Sequence, residues 1–377
     1  MSYQVDTNNL PICLAENATV AEVETALSRG RRTLEDFAAL VSPVAASPVY
    51  LEWMAQESQR LTLKHFGRVI RLFAPLYLSN ECVNVCRYCG FSRDNPIQRV
   101  TLNVEQVLAE ARHLQREGFR HLLLVAGEHP RLVSAKYLEE CVQRLHSDWS
   151  SISLEVGPLE TAEYEPIVRA GAEGLVIYQE TYDREVYRSL HPKGPKKDYD
   201  WRLDTPERAY AAGFKRLGVG VLLGLAPWRA DVVRLADHIR YLLRTCWKAQ
   251  ITVSIPRLRP AAGGFEALVP VTDRDLVQLV CALRLVFPEV GIVLSTRERS
   301  ALRDGLVRVG ITMMSAGSRT EPGGYTGQGI RRIGSEGEHA AEQFEIADGR
   351  SSFEVATALA AMGYEPVWKD WDAVLNE

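Results

Sequence analysis

From residue 68 to residue 318 the chain alternates eight short apolar or β-branched runs with amphipathic stretches about ten to fifteen residues long. The runs are nearly continuous in apolar side chains rather than alternating with polar ones, the pattern of parallel strands covered on both faces. The length of 377 residues exceeds an ordinary domain but accommodates a barrel of about 250 residues with additions. Together these observations predict an α/β protein built as a parallel (βα)8 TIM-type barrel over 67–319. An N-terminal helical extension is expected over 1–66, and a C-terminal loop and helix packed on the barrel over 320–377. An open doubly wound sheet is the alternative. No GxGxxG pattern opens the first unit, however, and Gly218–Gly220 alone is weak evidence for a nucleotide fold.

The N-terminal segments TVAEVETALSRG, TLEDFAALVS and YLEWMAQESQRLTLKHFG carry helical spacing, with Thr19 and Thr33 placed as caps ahead of acidic first turns. The strand candidates follow as RVIRLFAPLYL, HLLLVAG, SISLEVG, GLVIYQET, RLGVGVLLGL, ITVSIPRL, GIVLSTRE and GITMMSAGS. Helical patterns such as VEQVLAEARHLQREG and DLVQLVCALRLVF lie between them. After residue 320, EPGGYTGQGIRRIGSEGEH reads as a long loop or flap, SSFEVATALAAMG as a final helix, and YEPVWKDWDAVLNE as a tail. Trp368 and Trp371 are expected to pack that tail back onto the body.

Hydrophobic residues make up 46% and charged residues 24% of the chain, and the formal net charge is −4. This balance disfavours nucleic acid or an anionic membrane as partner and points to a small-molecule ligand. The first residues lack a basic start and an apolar run, and no stretch approaches the roughly 18–20 apolar residues that span a bilayer. The expected location is the cytoplasm, where thiols stay reduced. Of seven cysteines, Cys13, Cys141, Cys246 and Cys281 are scattered and read as small core residues, whereas Cys82, Cys86 and Cys89 crowd into ECVNVCRYCGFS.

A structural zinc site takes four protein ligands, and no fourth cysteine lies near these three. Three thiolates holding a [4Fe–4S] cluster leave one iron open to bind a ligand directly. C-x3-C-x2-C after a first barrel strand, with an aromatic residue before the third cysteine, resembles the radical S-adenosylmethionine (SAM) superfamily. The resemblance implies a [4Fe–4S] cluster held by Cys82, Cys86 and Cys89, with SAM as the second cofactor. Ala126-Gly127-Glu128 resembles the family's Gly-Gly-Glu segment, with alanine in place of the first glycine, and Tyr88 matches the family aromatic near the adenine. Glu155, Tyr178 and Glu180 match positions that in relatives approach the ribose and methionyl parts of SAM.

Further segments are similar to the tyrosine lyases of thiamine synthesis, the 2-iminoacetate synthases: PLYLSNECVNVCRYCGFS, LLLVAGEHP, VIYQETYDREVY, HPKGPKKDYDWRLDTPERAYAAG, VSIPRLRPAAGG, LSTRE, SAGSRTEPGGY and PVWKDWD. That resemblance implies cleavage of the Cα–Cβ bond of L-tyrosine to p-cresol and 2-iminoacetate (dehydroglycine). It also implies an external electron donor and a complex with thiazole synthase. The [FeFe]-hydrogenase maturase carries a second cysteine set in an extended C-terminal domain, and this chain has no cysteine after Cys281. Biotin synthase needs an auxiliary cluster for which Cys141, Cys246 and Cys281 are ill matched. A tryptophan lyase and a non-catalytic partner subunit of thiazole synthase remain as alternatives.

Radical cleavage of an amino acid needs a fixed carboxylate, which a bidentate arginine supplies. The candidates at strand ends are Arg257, Arg259 and Arg297. Arg297 is favoured because it closes the seventh strand, although an ion pair with Glu298 or Glu266 would occupy it. Ser315 and Ser318, ending the eighth strand, are expected to donate to the same carboxylate. The basic run HPKGPKK suggests a loop over the barrel mouth, within which His191 has no assigned role.

Overall fold

The computed structural model describes residues 3–4, 9–327 and 341–368. Each of the eight expected segments contains a strand: β1 Val69–Ser79, β2 His121–Ala126, β3 Ser151–Glu155, β4 Gly174–Glu180, β5 Arg216–Val221, β6 Gln250–Ser254, β7 Gly291–Leu294 and β8 Met313–Ser315. All neighbours pair in parallel, and β1 bonds both β2 and β8, which closes the ring. Helices follow the strands around the outside, among them Val104–Arg116, Ala135–Leu145, Trp228–Thr245 and Asp273–Val286. The doubly wound alternative is thereby excluded.

Closure leaves two ends with different chemistry. At the N-terminal end Arg216 donates to Ser151 Oγ (3.2 Å), Glu173 Oε1 (3.2 Å) and Gln250 Oε1 (3.1 Å), plugging the barrel floor with a hydrogen-bonded network. The C-terminal end carries the long loops and two adjoining cavities, as such barrels generally do, while a further cavity lies at the N-terminal end beside Arg216 and Gln250.

Helices Ile12–Asn17, Val20–Ser28, Leu34–Leu40 and Pro48–Phe66 precede β1. Thr19 and Thr33 form capping boxes with Glu22 and Asp36, so each satisfies backbone N–H groups that a helix start leaves orphaned. These helices pack over Trp228–Thr245, Asp273–Val286 and Ser300–Val309, and buried Gln278 ties the layers together by donating to Leu40 O and Ser42 O, each at 2.8 Å.

The C-terminal chain returns across the barrel. Residues 341–348 cross the mouth, helix Ser352–Ala361 packs outside, and a ninth strand, β9 Glu365–Val367, pairs in parallel with Val69–Arg71 of β1. The sequence did not announce β9, which has three residues and one proline. Trp368 packs edge-on against Phe119, and its carbonyl accepts from Arg120 N, as expected for the tail; Trp371 and residues 328–340 of the expected flap lie outside the described residues. No helix among the described residues is long and apolar enough to cross a membrane.

The crossing segment is anchored by Arg303, fully buried, which bonds Asp348 and the carbonyl of Ser315; Arg350 bonds Asp348 and Asp304. Burial alone would raise the Asp348 carboxyl, but Arg350 and Arg303 outweigh it and hold it below the usual range. Asp348→Ala leaves a guanidinium buried without its partner and should lower stability by about 3–5 kcal/mol, read as a fall in the denaturant midpoint. A depressed carboxyl contributes stability that is present above its unfolded pKa and lost as pH falls through the folded value. The difference between parent and Asp348→Ala should therefore shrink in acid, and a pH-independent difference would refute this assignment.

Candidate active site

The cysteine loop follows β1 and is held mainly by two polar side chains. Asn80 accepts from Val100 N (2.7 Å) and donates to Gln98 O (2.7 Å). Arg99 donates to the carbonyls of Asn80, Phe91, Ser92 and Asn95 at 2.6–3.1 Å, drawing the two ends of the loop together around one planar cation. Ser92 Oγ accepts from Cys86 N at 3.1 Å. None of this scaffold was singled out in the sequence, where Asn80 and Arg99 look like ordinary loop residues.

Cys82, Cys86 and Cys89 line a single cavity of about 600 Å³ together with Gly127, Glu128, Glu155, Tyr178, Glu180, Lys196 and Arg202. Burial pushes the Cys86 and Cys89 thiols up, with Lys196 opposing, so binding of a metal there must displace protons. Gly127 is required by close approach: a Cβ at this position would lie 2.3 Å from Glu81 O. Its N–H donates to Ser79 O (2.9 Å), while Glu128 accepts from Val83 N through its carbonyl and from Asn84 Nδ2 (2.7 Å) through its carboxylate. The Ala-Gly-Glu turn is thus bolted to the cysteine loop.

Glu180 ends β4 beyond a bulge and has φ 71°, the left-handed region that a glutamate adopts only where its surroundings enforce it. Its carboxylate meets Lys196 Nζ at 2.7 Å and Arg202 at 3.6 Å; burial alone would raise its pKa, but the two cations lower it. Lys196 belongs to HPKGPKK, in which Lys193 and Lys197 are exposed, but the Lys196 side chain itself is only 13% exposed and Asn84 Oδ1 accepts from its backbone N–H. Burial pushes His191 down to about 3, so the ring is neutral, Nδ1–H donates to Tyr187 O (2.8 Å), and Nε2 accepts from the Tyr88 hydroxyl (2.9 Å). His191 therefore fixes the aromatic residue beside Cys89.

A second cavity of about 550 Å³ opens toward β7 and β8, with Phe73, Pro75, Leu123, Val125 and Val293 as apolar wall. Arg297, Ser315 and Ser318 all line it. Arg297 has no ion-pair partner among the described residues, and its guanidinium lies 3.4 Å from the ring centre of Phe344. Glu298, the expected competitor, is taken instead by Arg257, which also faces Asp273 at 2.8 Å. Arg257 and Arg259 line a different cavity. Ser318 Oγ is buried with no hydrogen-bond partner, and Ser315 Oγ accepts from Thr296 N (3.2 Å), leaving its proton to donate. The two cavities share Val125, Glu155, Tyr178 and Gln343 as a common wall.

Residues 76–237 match the family model of the radical SAM superfamily, and 254–365 match that of the biotin and thiamin synthesis associated domain. The chain is 43% identical to the 2-iminoacetate synthase of Escherichia coli over 95% of its own length and 92% of that protein, and 42% identical to that of Salmonella typhimurium over the same shares. Among solved structures, the FeFe-hydrogenase maturase HydG from Carboxydothermus hydrogenoformans is similar with TM-score 0.84 and 34% identity, covering 93% of this chain and 80% of that one. Methylornithine synthase (PylB), at 22% identity and TM-score 0.71 over 92% of this chain and 97% of that one, shares the fold.

Gly127→Ala should force the turn away from Glu81 and disturb the loop that carries Cys82, because the clashing atom is backbone and cannot swing aside. Reduced iron content after anaerobic reconstitution, with near-parental circular dichroism, is the expected outcome; full iron loading would show that the turn yields without moving the thiols.

Proposed function

The chain belongs to the radical SAM superfamily, as a member of its 2-iminoacetate synthase family, and we propose that the two joined cavities are its cofactor and substrate sites. The protein is a radical SAM carbon–carbon lyase that cleaves the Cα–Cβ bond of L-tyrosine to p-cresol and 2-iminoacetate, for thiamine thiazole synthesis. The observation that carries the site reading is the pairing of a three-thiol cavity with a neighbouring cavity that presents an unpaired guanidinium and an unpartnered hydroxyl.

The residues present fit a [4Fe–4S] cluster. Three thiols line one cavity, among the described residues no histidine or fourth cysteine lines it, and the Lys196 ammonium opposes the upward push of burial on the Cys86 and Cys89 thiols. Cys82, Cys86 and Cys89 would hold the cluster, and Tyr88, Gly127, Glu128, Tyr178 and Glu180 would surround SAM beside it. To these expected residues the geometry adds Lys196 and Arg202. When bound, cluster and SAM together supply, after one-electron reduction by an external donor, a 5′-deoxyadenosyl radical that removes a hydrogen atom from substrate.

The remaining work falls to the chain. Arg297 grips the substrate carboxylate in two-point fashion, with Ser315 and Ser318 donating to the same oxygens. Phe344 holds the guanidinium in place by lying over it, and the apolar wall takes the ring. Crossing residues 343 and 344 cover the mouth and keep water from the reacting groups. Because 2-iminoacetate is a reactive imine that water hydrolyses, the reading includes hand-over to thiazole synthase as partner.

Cys86→Ala should abolish 5′-deoxyadenosine formation from SAM, whereas Cys141→Ala, buried on helix Ala135–Leu145, should not. Turnover of tyrosine should yield p-cresol with glyoxylate and ammonia and no carbon monoxide. An indole product from tryptophan, with tyrosine inert, would favour the tryptophan lyases instead.

Arg297→Ala should weaken tyrosine binding by roughly 2–5 kcal/mol. Arg297→Lys should recover little, since an ammonium lacks the planar fork. Iron content and SAM affinity should hold in both variants, and Arg259→Ala should bind tyrosine normally. The reverse ranking of the Arg297 and Arg259 variants in tyrosine Kd would place the carboxylate site at the other cavity.

A further inference from the structure

Besides Arg297, the substrate cavity presents, among the described residues, one other formally charged side chain, Glu155 at the end of β3. Among the described residues its carboxylate makes no hydrogen bond and no ion pair; Arg297, Arg202 and Lys196 act on it through space. Of the two other carboxylates that line the adjoining cavity, Glu180 is already neutralised by Lys196 and Arg202, and Glu128 accepts from Asn84 Nδ2. One cavity therefore offers an unpaired cation and an unpaired anion, the complement of an α-amino acid zwitterion. Of the two, Glu155 alone also lines the cavity of the three thiols.

An α-amino acid arrives with its nitrogen as ammonium, which has no lone pair to stabilise the radical left when a hydrogen atom is removed from nitrogen or from the adjoining carbon. A group on the wall between the cavities must take that proton first. On the reading of the site given above, we propose that Glu155 is the general base that accepts the α-ammonium proton of the bound amino acid and then holds the neutral amine at the boundary of the two cavities. One N–H bond breaks, its electron pair stays on nitrogen, and one O–H bond forms on Glu155, with no change in oxidation state. This assigns Glu155 to the substrate rather than to SAM.

The surroundings tune the group for the task. Burial pushes the Glu155 carboxyl up to about 7 and Glu180 adds to this, while Arg297, Arg202 and Lys196 oppose it. The phenols of Tyr77 and Tyr178, which also line the cavity, are pushed upward by burial and cannot serve as bases near neutrality. A carboxyl poised close to neutral pH is suited to accept a proton and return it. Since the ionised form is the one that accepts, kcat/KM for tyrosine should rise as pH passes upward through about 7 and then level off.

The test compares Glu155→Gln and Glu155→Asp with the parent as reconstituted holoenzymes of equal iron content. Measured for each are SAM Kd, tyrosine Kd, p-cresol formation across the neutral pH range, and 5′-deoxyadenosine released with tyrosine present. Glu155→Gln, which keeps shape but cannot accept the proton, should lose about a hundredfold or more in p-cresol formation. It should retain SAM affinity, continue uncoupled 5′-deoxyadenosine release, and lack the acidic limb of the pH profile. Glu155→Asp should keep that limb at reduced rate. A Glu155→Gln variant whose SAM affinity falls while tyrosine affinity holds would return the residue to the cofactor, and one with parental rate and an intact acidic limb would show that another group takes the proton. Parent enzyme that cleaves SAM but is inert toward every aromatic amino acid would overturn the substrate reading itself, and the proposal with it.

Discussion

Glu180, buried between Lys196 and Arg202, is the interaction on which the barrel mouth depends. An isolated carboxylate in such a place costs several kcal/mol, and two cations more than offset its charge. The bulge and the left-handed backbone at Glu180 aim the side chain at them. The same contact draws the segment after β4 against the cysteine loop, where Val85 N donates to Lys193 O and Lys196 N to Asn84 Oδ1. Gly194 makes that approach feasible, with φ 92° and room for no side chain, since a Cβ would sit 2.3 Å from Asn84 Oδ1. The result is an ammonium and a guanidinium, bridged by a carboxylate, fixed beside three thiols.

The crossing segment adds Gln343 to the wall common to both cavities, which the barrel strands otherwise build from Val125, Glu155 and Tyr178. Gln343 accepts from the Tyr77 hydroxyl through Oε1 (2.7 Å) and from Gly90 N through its carbonyl (3.2 Å), so it ties β1 to the residue after Cys89. Its neighbour Phe344 covers Arg297. Behind them Arg303 and Asp348 fasten the segment to the carbonyl of Ser315 at the end of β8, three residues before Ser318. The cavity beside Arg297, the cysteine loop and the C-terminal chain are consequently one mechanical unit, and displacement of any of them is felt by the others.

Much of this was legible in the sequence, for physical reasons that differ from residue to residue. Parallel strands buried on both faces leave continuous apolar runs, so β1 to β8 stood out; Thr19 and Thr33 carry their capping partners three residues away. Arg297 could be found because the strand count put it at the mouth, and the cysteine spacing is local. The missed features depend on partners far along the chain. Nothing in EPV marks a strand until Val69–Arg71 lies beside it, and Lys196 in a basic run looks solvated until Glu180 is buried against it. Arg99, Arg202, Gln343 and Phe344 likewise acquire their roles only from carbonyls, carboxylates or rings supplied by other loops.

On the proposed reading of the site, the placement of charge would orient the substrate without reference to its ring. Arg297 lines only the substrate cavity, whereas Glu155 lines both cavities, so an amino acid held by the two presents its nitrogen toward the thiol-lined side and its carboxylate away from it. The apolar side chains Phe73, Leu123, Val125 and Val293 then receive the ring on the remaining side. Tyr77 cannot offer its hydroxyl proton to a ring substituent, because Gln343 already accepts it. Recognition of the amino-acid headgroup would thus be electrostatic and directional, while the ring would be selected by the shape of an apolar wall, which rejects a wrong ring by only about 1–3 kcal/mol per misfitted methylene. The bond that breaks, between Cα and Cβ, would join these two regimes, with one end held by charge and the other free to leave.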